Sequence, residues 1–269
     1  MLSFPRLIAG LAAALLTVAP ARAADPPTAL EPLAQVQQAL AKATWTPLTP
    51  GIARLALKST GAELTAYRLD PAAVHARILP QLRPGGSTAA EIVAAAKPLL
   101  VINGGFFYLK PDGSIAPTGM LVASSKTLAP RTKCKICSGV LYTDAMGLHI
   151  GRPKDMLGKR GVTNALQVGP MLVERGAVLR FRDDGPAAAR SAVCVTGEAI
   201  LVLALISPLS LHDTAALMQA PSADGGFGCV TALNLDGGSS TQLVSAVPGA
   251  VEEVGFARPV QNFLAFELR

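Results

Sequence analysis

The feature that most constrains this chain is a pattern used twice, in which a short apolar run stops at a polar residue followed by two glycines. Leu99-Leu100-Val101-Ile102 runs into Asn103-Gly104-Gly105-Phe106-Phe107, and Thr231-Ala232-Leu233-Asn234-Leu235 runs into Asp236-Gly237-Gly238-Ser239-Ser240. Runs of this length are short for a helix, and their continuity suits strands buried on both faces. Such strands must be covered from two sides, so the chain has to build layers. A polar residue at the end of a buried strand is held rigidly, and glycines beside it let the backbone approach a ligand and present its amides. The competing reading of each segment is a hairpin turn, because Asn-Gly and Asp-Gly are strong two-residue turn signals.

The surrounding sequence supplies those layers. Residues 52–58 and 63–69 alternate on either side of Ser59-Thr60-Gly61-Ala62, a hairpin signal, and 75–79 reads as a third strand. Thr88 and Glu91 form a capping box for a helix over 89–96, which Pro98 stops. A helix over 211–218 has Ser210 and Asp213 as its cap, and 33–43 is a further helical stretch. Strands are expected over 119–123, 139–142, 165–168, 171–173, 192–196, 199–206 and 260–268, with Gly197-Glu198 turning between two of them. Strands outnumber helices, so the expected fold class is α+β: a strand-rich mixed sheet with a few packed helices, in a single domain spanning 51–269. Residues 24–50, rich in proline, read as a leader segment packing on the domain's edge.

Arg6 precedes an apolar run over 7–19, followed by Ala21-Arg22-Ala23. This has the form of a secretory signal peptide, residues 1–23, cleaved after Ala23. The run is short for a membrane span, which needs about 20 apolar residues, and no later stretch is long enough. The expected location is therefore periplasmic or secreted, with no stable membrane span after cleavage. The whole chain carries a net charge of +6, and without Arg6 and Arg22 it has 22 basic against 18 acidic residues, or +4. The densest basic stretches, 126–135 and 152–160, interleave no aromatics, which argues against a nucleic-acid partner. The mild positive balance suits a phosphate-bearing or acidic glycan, although a solvated surface is the plainer reading.

Export makes disulfides chemically possible. Cys134 and Cys137 lack the second Cys or His pair that a zinc site would need, and His75, His149 and His212 are far apart in sequence. No metal and no cofactor is expected. Two disulfides are: Cys134 with Cys137 in a polar loop, and Cys194 in a strand with Cys229 just before one.

Two further segments carry polar groups near strands. Gln167-Val168-Gly169-Pro170-Met171-Leu172-Val173 is by itself a strand with a Gly-Pro kink. Arg190 precedes Ser191-Ala192-Val193 at the entrance to a strand, where a guanidinium can fork two phosphate oxygens or simply be solvated. Asp236-Gly237-Gly238-Ser239 is not a Walker A loop, since the lysine is missing. Nor is it a nucleophile elbow, since Ser239 lacks the closing glycine and a following histidine.

Taken together and in this order, the segments NGGFF, GML, GPMLV, RSAV and NLDGGSS resemble the phosphodiester glycosidase family. That family includes the enzyme uncovering mannose 6-phosphate on lysosomal hydrolases and many short exported bacterial proteins. The resemblance runs from about residue 50 to the C-terminus. Cys194 stands where many members have glycine, and the Cys-x-x-Cys segment 131–138 is not part of the pattern. Both departures bear on the substrate more than on the fold.

The resemblance implies hydrolysis of the glycosidic bond of a sugar-1-phosphodiester, such as an N-acetylglucosamine-1-phosphodiester, small or polymeric, in the cell envelope. A phosphate monoester leaves readily, because its second pKa is about 6. The site then needs donors for phosphate oxygens and one carboxylate near the sugar, rather than a strong acid. On this reading Asp236 is the nucleophile or base, Arg190 holds phosphate, and Asn103 completes the catalytic group. Gly104, Gly105, Phe106, Gln167, Gly169, Asn234, Gly237, Gly238 and Ser239 bind substrate through amides, sugar contacts or water. No metal is required, although a carboxylate beside a glycine loop could hold calcium. The alternative is a noncatalytic glycan-binding protein in envelope or exopolysaccharide assembly. Attack at phosphorus would ordinarily use two metals or a histidine nucleophile, and the sequence shows neither cluster.

Overall fold

The run ending at Asn103 is a strand, Leu100–Asn103, and every residue of it is buried. Its two faces are covered by different partners. Leu100 and Ile102 enter a core with Leu141, Leu166, Leu233 and Phe266, while Val101 packs against Ala89 and Ile92 of a helix. The helix, Ala89–Ala96, carries the expected reciprocal cap between Thr88 and Glu91. The computed structural model describes residues 31–181 and 185–269. The expected signal peptide and its cleavage point lie outside the described residues, and no described helix is long and apolar enough to cross a membrane.

The strands fall into three principal sheets whose ladders are all antiparallel. An eight-stranded sheet runs Thr46–Thr49, Ile52–Ser59, Ala62–Leu69, Ile200–Leu209, Ala188–Val195, Thr231–Asn234, Met171–Glu174 and Ala177–Val178. A five-stranded sheet runs Gly147–Gly151, Gly139–Asp144, Asn164–Val168, Leu121–Ala123 and Lys126–Ala129. The other five-stranded sheet runs Ala250–Gly255, Gln242–Val247, Leu100–Asn103, Asn262–Leu268 and Val74–Pro80. The small hairpin Phe107–Leu109 and Ile115–Pro117 completes them. The α+β, strand-rich class expected from the sequence is the class observed.

All three principal sheets contribute to one central core. Val193, Val202 and Leu233 from the first meet Leu141 and Leu166 from the second, and Leu100 and Leu264 from the third. The far face of the eight-stranded sheet is closed by helices Pro32–Ala41 and Leu211–Gln219, through Val36, Leu40, Leu217 and Met218. This explains the continuous apolar runs: antiparallel strands usually keep one wet face, but here helices cover the second. Residues 31–50, expected as a leader, supply both a covering helix and an edge strand of the large sheet. Both expected disulfides are formed, Cys134–Cys137 and Cys194–Cys229. The second staples a buried strand to the segment preceding its neighbour, where Cys194 opposes Ala232.

The sequence reading missed the hairpin Gln242–Val247 with Ala250–Gly255. Its outer strand is an edge strand and alternates half-buried with exposed residues. Glu252 fastens it to the large sheet, accepting from Arg54 and from the Tyr67 hydroxyl at 2.6 Å.

Candidate active site

Neither Asn103-Gly104 nor Asp236-Gly237 is a hairpin turn. The strand ending at Asn103 pairs with Gln242–Val247 and Asn262–Leu268, and Asp236 leads into a single 3₁₀ turn, Gly238–Ser240. The packing of two sheets instead brings the two motifs together. Asn103 Nδ2 donates to the Asp236 carbonyl at 2.7 Å, and the Asp236 N–H donates to the Gly104 carbonyl at 2.9 Å.

Asn103 is fully buried, and its Oδ1 accepts from the Ser191 hydroxyl at 2.6 Å and the Gln242 amide at 3.1 Å. It thus ties the Asp236 segment to the strands Ala188–Val195 and Gln242–Val247 at once. Its action on the site is to position Asp236, because a side chain committed in this way has no surface to offer a ligand. The amides of Gly104 and Gly105 are likewise engaged, by the Asn262 carbonyl at 2.8 Å and the Asn262 Oδ1 at 2.8 Å. The sequence expectation that these two amides would cradle phosphate is corrected: Asn262 already occupies them. Glycine is required at 104 because a Cβ there would run into Asn262 Oδ1.

Gln167 is corrected in the same sense. Its Oε1 accepts from the amides of Met120 and Thr132, both at 3.2 Å, and its Nε2 donates to the carbonyls of Thr132 at 3.0 Å and Cys137 at 3.5 Å. Both polar ends are spent on the loop 130–138. Gly169, in a cis Gly169–Pro170 bond, sits against the same loop, where a Cβ would be 2.6 Å from the Ile136 carbonyl. Asn234 Nδ2 donates to the Gly169 carbonyl at 3.0 Å and to the Leu235 carbonyl at 2.6 Å. Its Oδ1 is buried and finds no donor among the described residues, an uncompensated acceptor of the kind functional sites retain. Phe106 is half-buried against the central core, and its carbonyl accepts from the Thr118 amide at 2.9 Å.

Asp236 itself is the outstanding group. Burial pushes its carboxyl up to about 6, against the opposing pull of the Ser240 hydroxyl, the Gly237 amide and the charge of Arg258. The Gly237 N–H donates to Asp236 Oδ1 at 3.0 Å. Gly238 has φ +59°, the left-handed region glycine favours, and open space lies where its Cβ would be. The N–H groups of Gly238 and Ser239 open the 3₁₀ turn, where helical geometry offers no internal acceptor. Other carboxylates weighed from sequence are placed differently. Glu174 is held by Arg152 through two bonds of 2.9 and 2.7 Å, and Asp213 lies in the first turn of a helix.

Of the two arginines near the Asp236 turn, Arg258 carries its charge to it and Arg190 does not. Arg190 has its Cα and Cδ 3.8 Å from where a Gly237 Cβ would stand, with its guanidinium donating to the Leu209 and Pro186 carbonyls at 3.0 and 2.9 Å. Arg258 was not singled out from the sequence. It donates to the exposed Ser239 hydroxyl at 2.8 Å, and its charge acts on Asp236. The signal that could have found it is an arginine before Pro259, in an irregular segment ahead of the closing strand. Asn262 was missed as well, although an amide side chain inside a strand of apolar residues calls for a buried partner. Among the described residues, no three His, Cys, Asp or Glu side chains cluster as metal ligands would.

Residues 96–267 match the family model described as phosphodiester glycosidase. No curated protein matches the chain. A crystal structure of a hypothetical protein from Synechocystis is similar at 16% identity and TM-score 0.60, over 84% of this chain and 64% of that one. The present chain therefore spans somewhat less than two thirds of that relative. The catalytic domain of zebrafish N-acetylglucosamine-1-phosphodiester alpha-N-acetylglucosaminidase, auto-inhibited by its pro-peptide, is similar at 16% identity and TM-score 0.57. That match covers 84% of this chain and 82% of that one. At such identities the likeness to both is one of fold.

Proposed function

The chain belongs to the phosphodiester glycosidase family, and from that premise we propose that it hydrolyses the bond between a sugar's anomeric carbon and phosphate in a sugar-1-phosphodiester. Its sugar is taken to be N-acetylglucosamine, the one named for the zebrafish enzyme of the same fold. The observation that carries the reading is the Asn103–Asp236 clasp, which holds one carboxylate, raised to about 6, on a glycine turn beside Arg258.

The chemistry follows from those groups. Near neutral pH most of Asp236 is ionised, and a pKa close to the working pH suits a general base. It takes a proton from water as the water oxygen bonds to the anomeric carbon. The bond from that carbon to phosphate oxygen breaks, and the phosphate monoester leaves as an anion. Arg258 and the amides of Gly238 and Ser239 stabilise the charge gathering on that phosphate, whereas the Arg190 guanidinium is engaged by the Leu209 and Pro186 carbonyls. The working protein is exported, begins after Ala23, and comprises the leader through residue 50 and the domain 51–269. The two disulfides support a location outside the cytoplasm.

The test is turnover of the methyl diester of N-acetylglucosamine-1-phosphate in oxygen-18 water, with products read by mass spectrometry. Label in the sugar with unlabelled methyl phosphate is the expected result. Label in phosphate would mean attack at phosphorus. Binding without turnover would favour the noncatalytic glycan-binding reading.

A further inference from the structure

The loop 130–138 is tied to the fold by a disulfide and several hydrogen bonds, although it carries no regular structure before its junction with the strand at Gly139. A disulfide closes it between Cys134 and Cys137. All four of the Gln167 side-chain hydrogen bonds are spent on it or on the adjoining Met120. Its first half is pinned by Thr132 Oγ1 donating to the Thr118 carbonyl at 2.9 Å, and Thr118 in turn bonds to Phe106. Its second half lies against Gly169, whose carbonyl takes the Asn234 side chain two residues before Asp236. The loop is thereby linked through hydrogen bonds to Phe106 on one side and, through Gly169, to Asn234 on the other.

Cys134 is half-buried and Cys137 buried, while Arg131, Lys133 and Lys135 are exposed. None of the three forms an ion pair among the described residues. A merely solvated run of charges needs no such bracing. With the backbone already braced, an anion bound by these three cations need only order their side chains and not the loop, which lowers the cost of recognition.

We propose that loop 130–138 is the subsite for the leaving-group side of the substrate, and that it selects phosphodiesters whose alcohol portion carries further negative charge. This rests on Asp236 being the hydrolytic centre. The anomeric phosphate sits at the Asp236 turn, and its alcohol substituent passes over the loop, where Arg131, Lys133 and Lys135 meet the additional phosphates or carboxylates. The segment that departs from the family pattern is thereby the one that narrows the substrate.

The experiment replaces Arg131, Lys133 and Lys135 together by serine in the full exported protein and compares two substrates. One is the methyl diester of N-acetylglucosamine-1-phosphate. The other is a diester of the same sugar phosphate with an alcohol bearing two more phosphates. The variant should lose about tenfold in kcat/KM on the charged substrate at low salt, keep its rate on the methyl diester, and show a flattened salt dependence. Equal losses on both substrates, or none on either, would overturn the proposal. In parallel, calorimetry measures binding of inorganic tripolyphosphate and of orthophosphate to both proteins. If neither diester is hydrolysed, the hydrolase reading fails and tripolyphosphate alone decides. Tighter binding of tripolyphosphate than of orthophosphate, lost in the variant, sustains the loop's role. Absent binding, or binding unchanged by the variant, refutes it.

Discussion

The side chain of Asn103 donates to the main-chain carbonyl of Asp236 at 2.7 Å, across 133 residues of sequence. That bond joins two sheets, since Asn103 ends a strand of one and Asp236 follows a strand of another. Asn103→Ala should accordingly act through the fold. It leaves the Ser191 hydroxyl, the Gln242 amide and the Asp236 carbonyl without their partner. Each orphaned buried group costs about 1–3 kcal/mol, so a loss of at least ~3 kcal/mol is expected in urea unfolding. Asn103→Asp should be no better, because it sets a second oxygen against the Asp236 carbonyl.

Asp236→Asn keeps the shape of the turn and the bond from the Gly237 amide. Removing a positioned base costs about 10²–10⁴-fold, so kcat should fall by that factor while KM changes little. Steady-state kinetics on the methyl diester checks this, and near-normal kcat would take Asp236 out of the mechanism.

The same substitution should stabilise the protein above pH 6. A carboxyl raised from 3.8 to about 6 binds its proton more tightly when folded than when unfolded. Its effect on stability is absent below the unfolded pKa, and the folded state loses ground as pH rises from about 4 to about 6. The total is bounded by ~3 kcal/mol. Asparagine never ionises, so melting curves should show Asp236→Asn more stable than the native protein at pH 7.5. At pH 4 the two should coincide. A gap independent of pH would contradict the buried carboxylate.

Arg258 draws the Asp236 carboxyl down. Arg258→Ala should therefore move the acidic limb of the kcat/KM profile to higher pH and raise KM. Arg258→Lys keeps the charge, so the limb should stay near its native position even if KM rises. A limb unmoved by either change would show that Arg258 acts only through its contact with Ser239.

The Cys194–Cys229 bond closes a long stretch between two buried sulfurs, with a sequence separation of 35. Replacing both by alanine should cost about 3–4 kcal/mol, seen as a lower Tm under non-reducing conditions. The native protein with reductant should approach the same Tm.

The sequence alone determined what is settled within a few residues of chain. Helix Ala89–Ala96 begins and ends where Thr88, Glu91 and Pro98 place it, since capping is a local exchange of hydrogen bonds. The two buried strands were legible because continuous apolar runs have few alternatives, and both disulfides were legible from four cysteines in two sequence contexts. Tertiary structure decided what each polar residue does at the strand ends. Gly104 and Gly105 look in sequence like open donors, yet Asn262, more than 150 residues away, fills both amides. Gln167 looks like a sugar contact and serves instead to brace a loop. Arg258 carries no local mark and reaches Ser239 because the closing strand folds back beside the Asp236 turn. The physical reason is the same in each case. A buried amide must find a partner and an exposed arginine reaches whatever the fold sets beside it, and both depend on which distant segments tertiary structure brings alongside, which local periodicity does not encode.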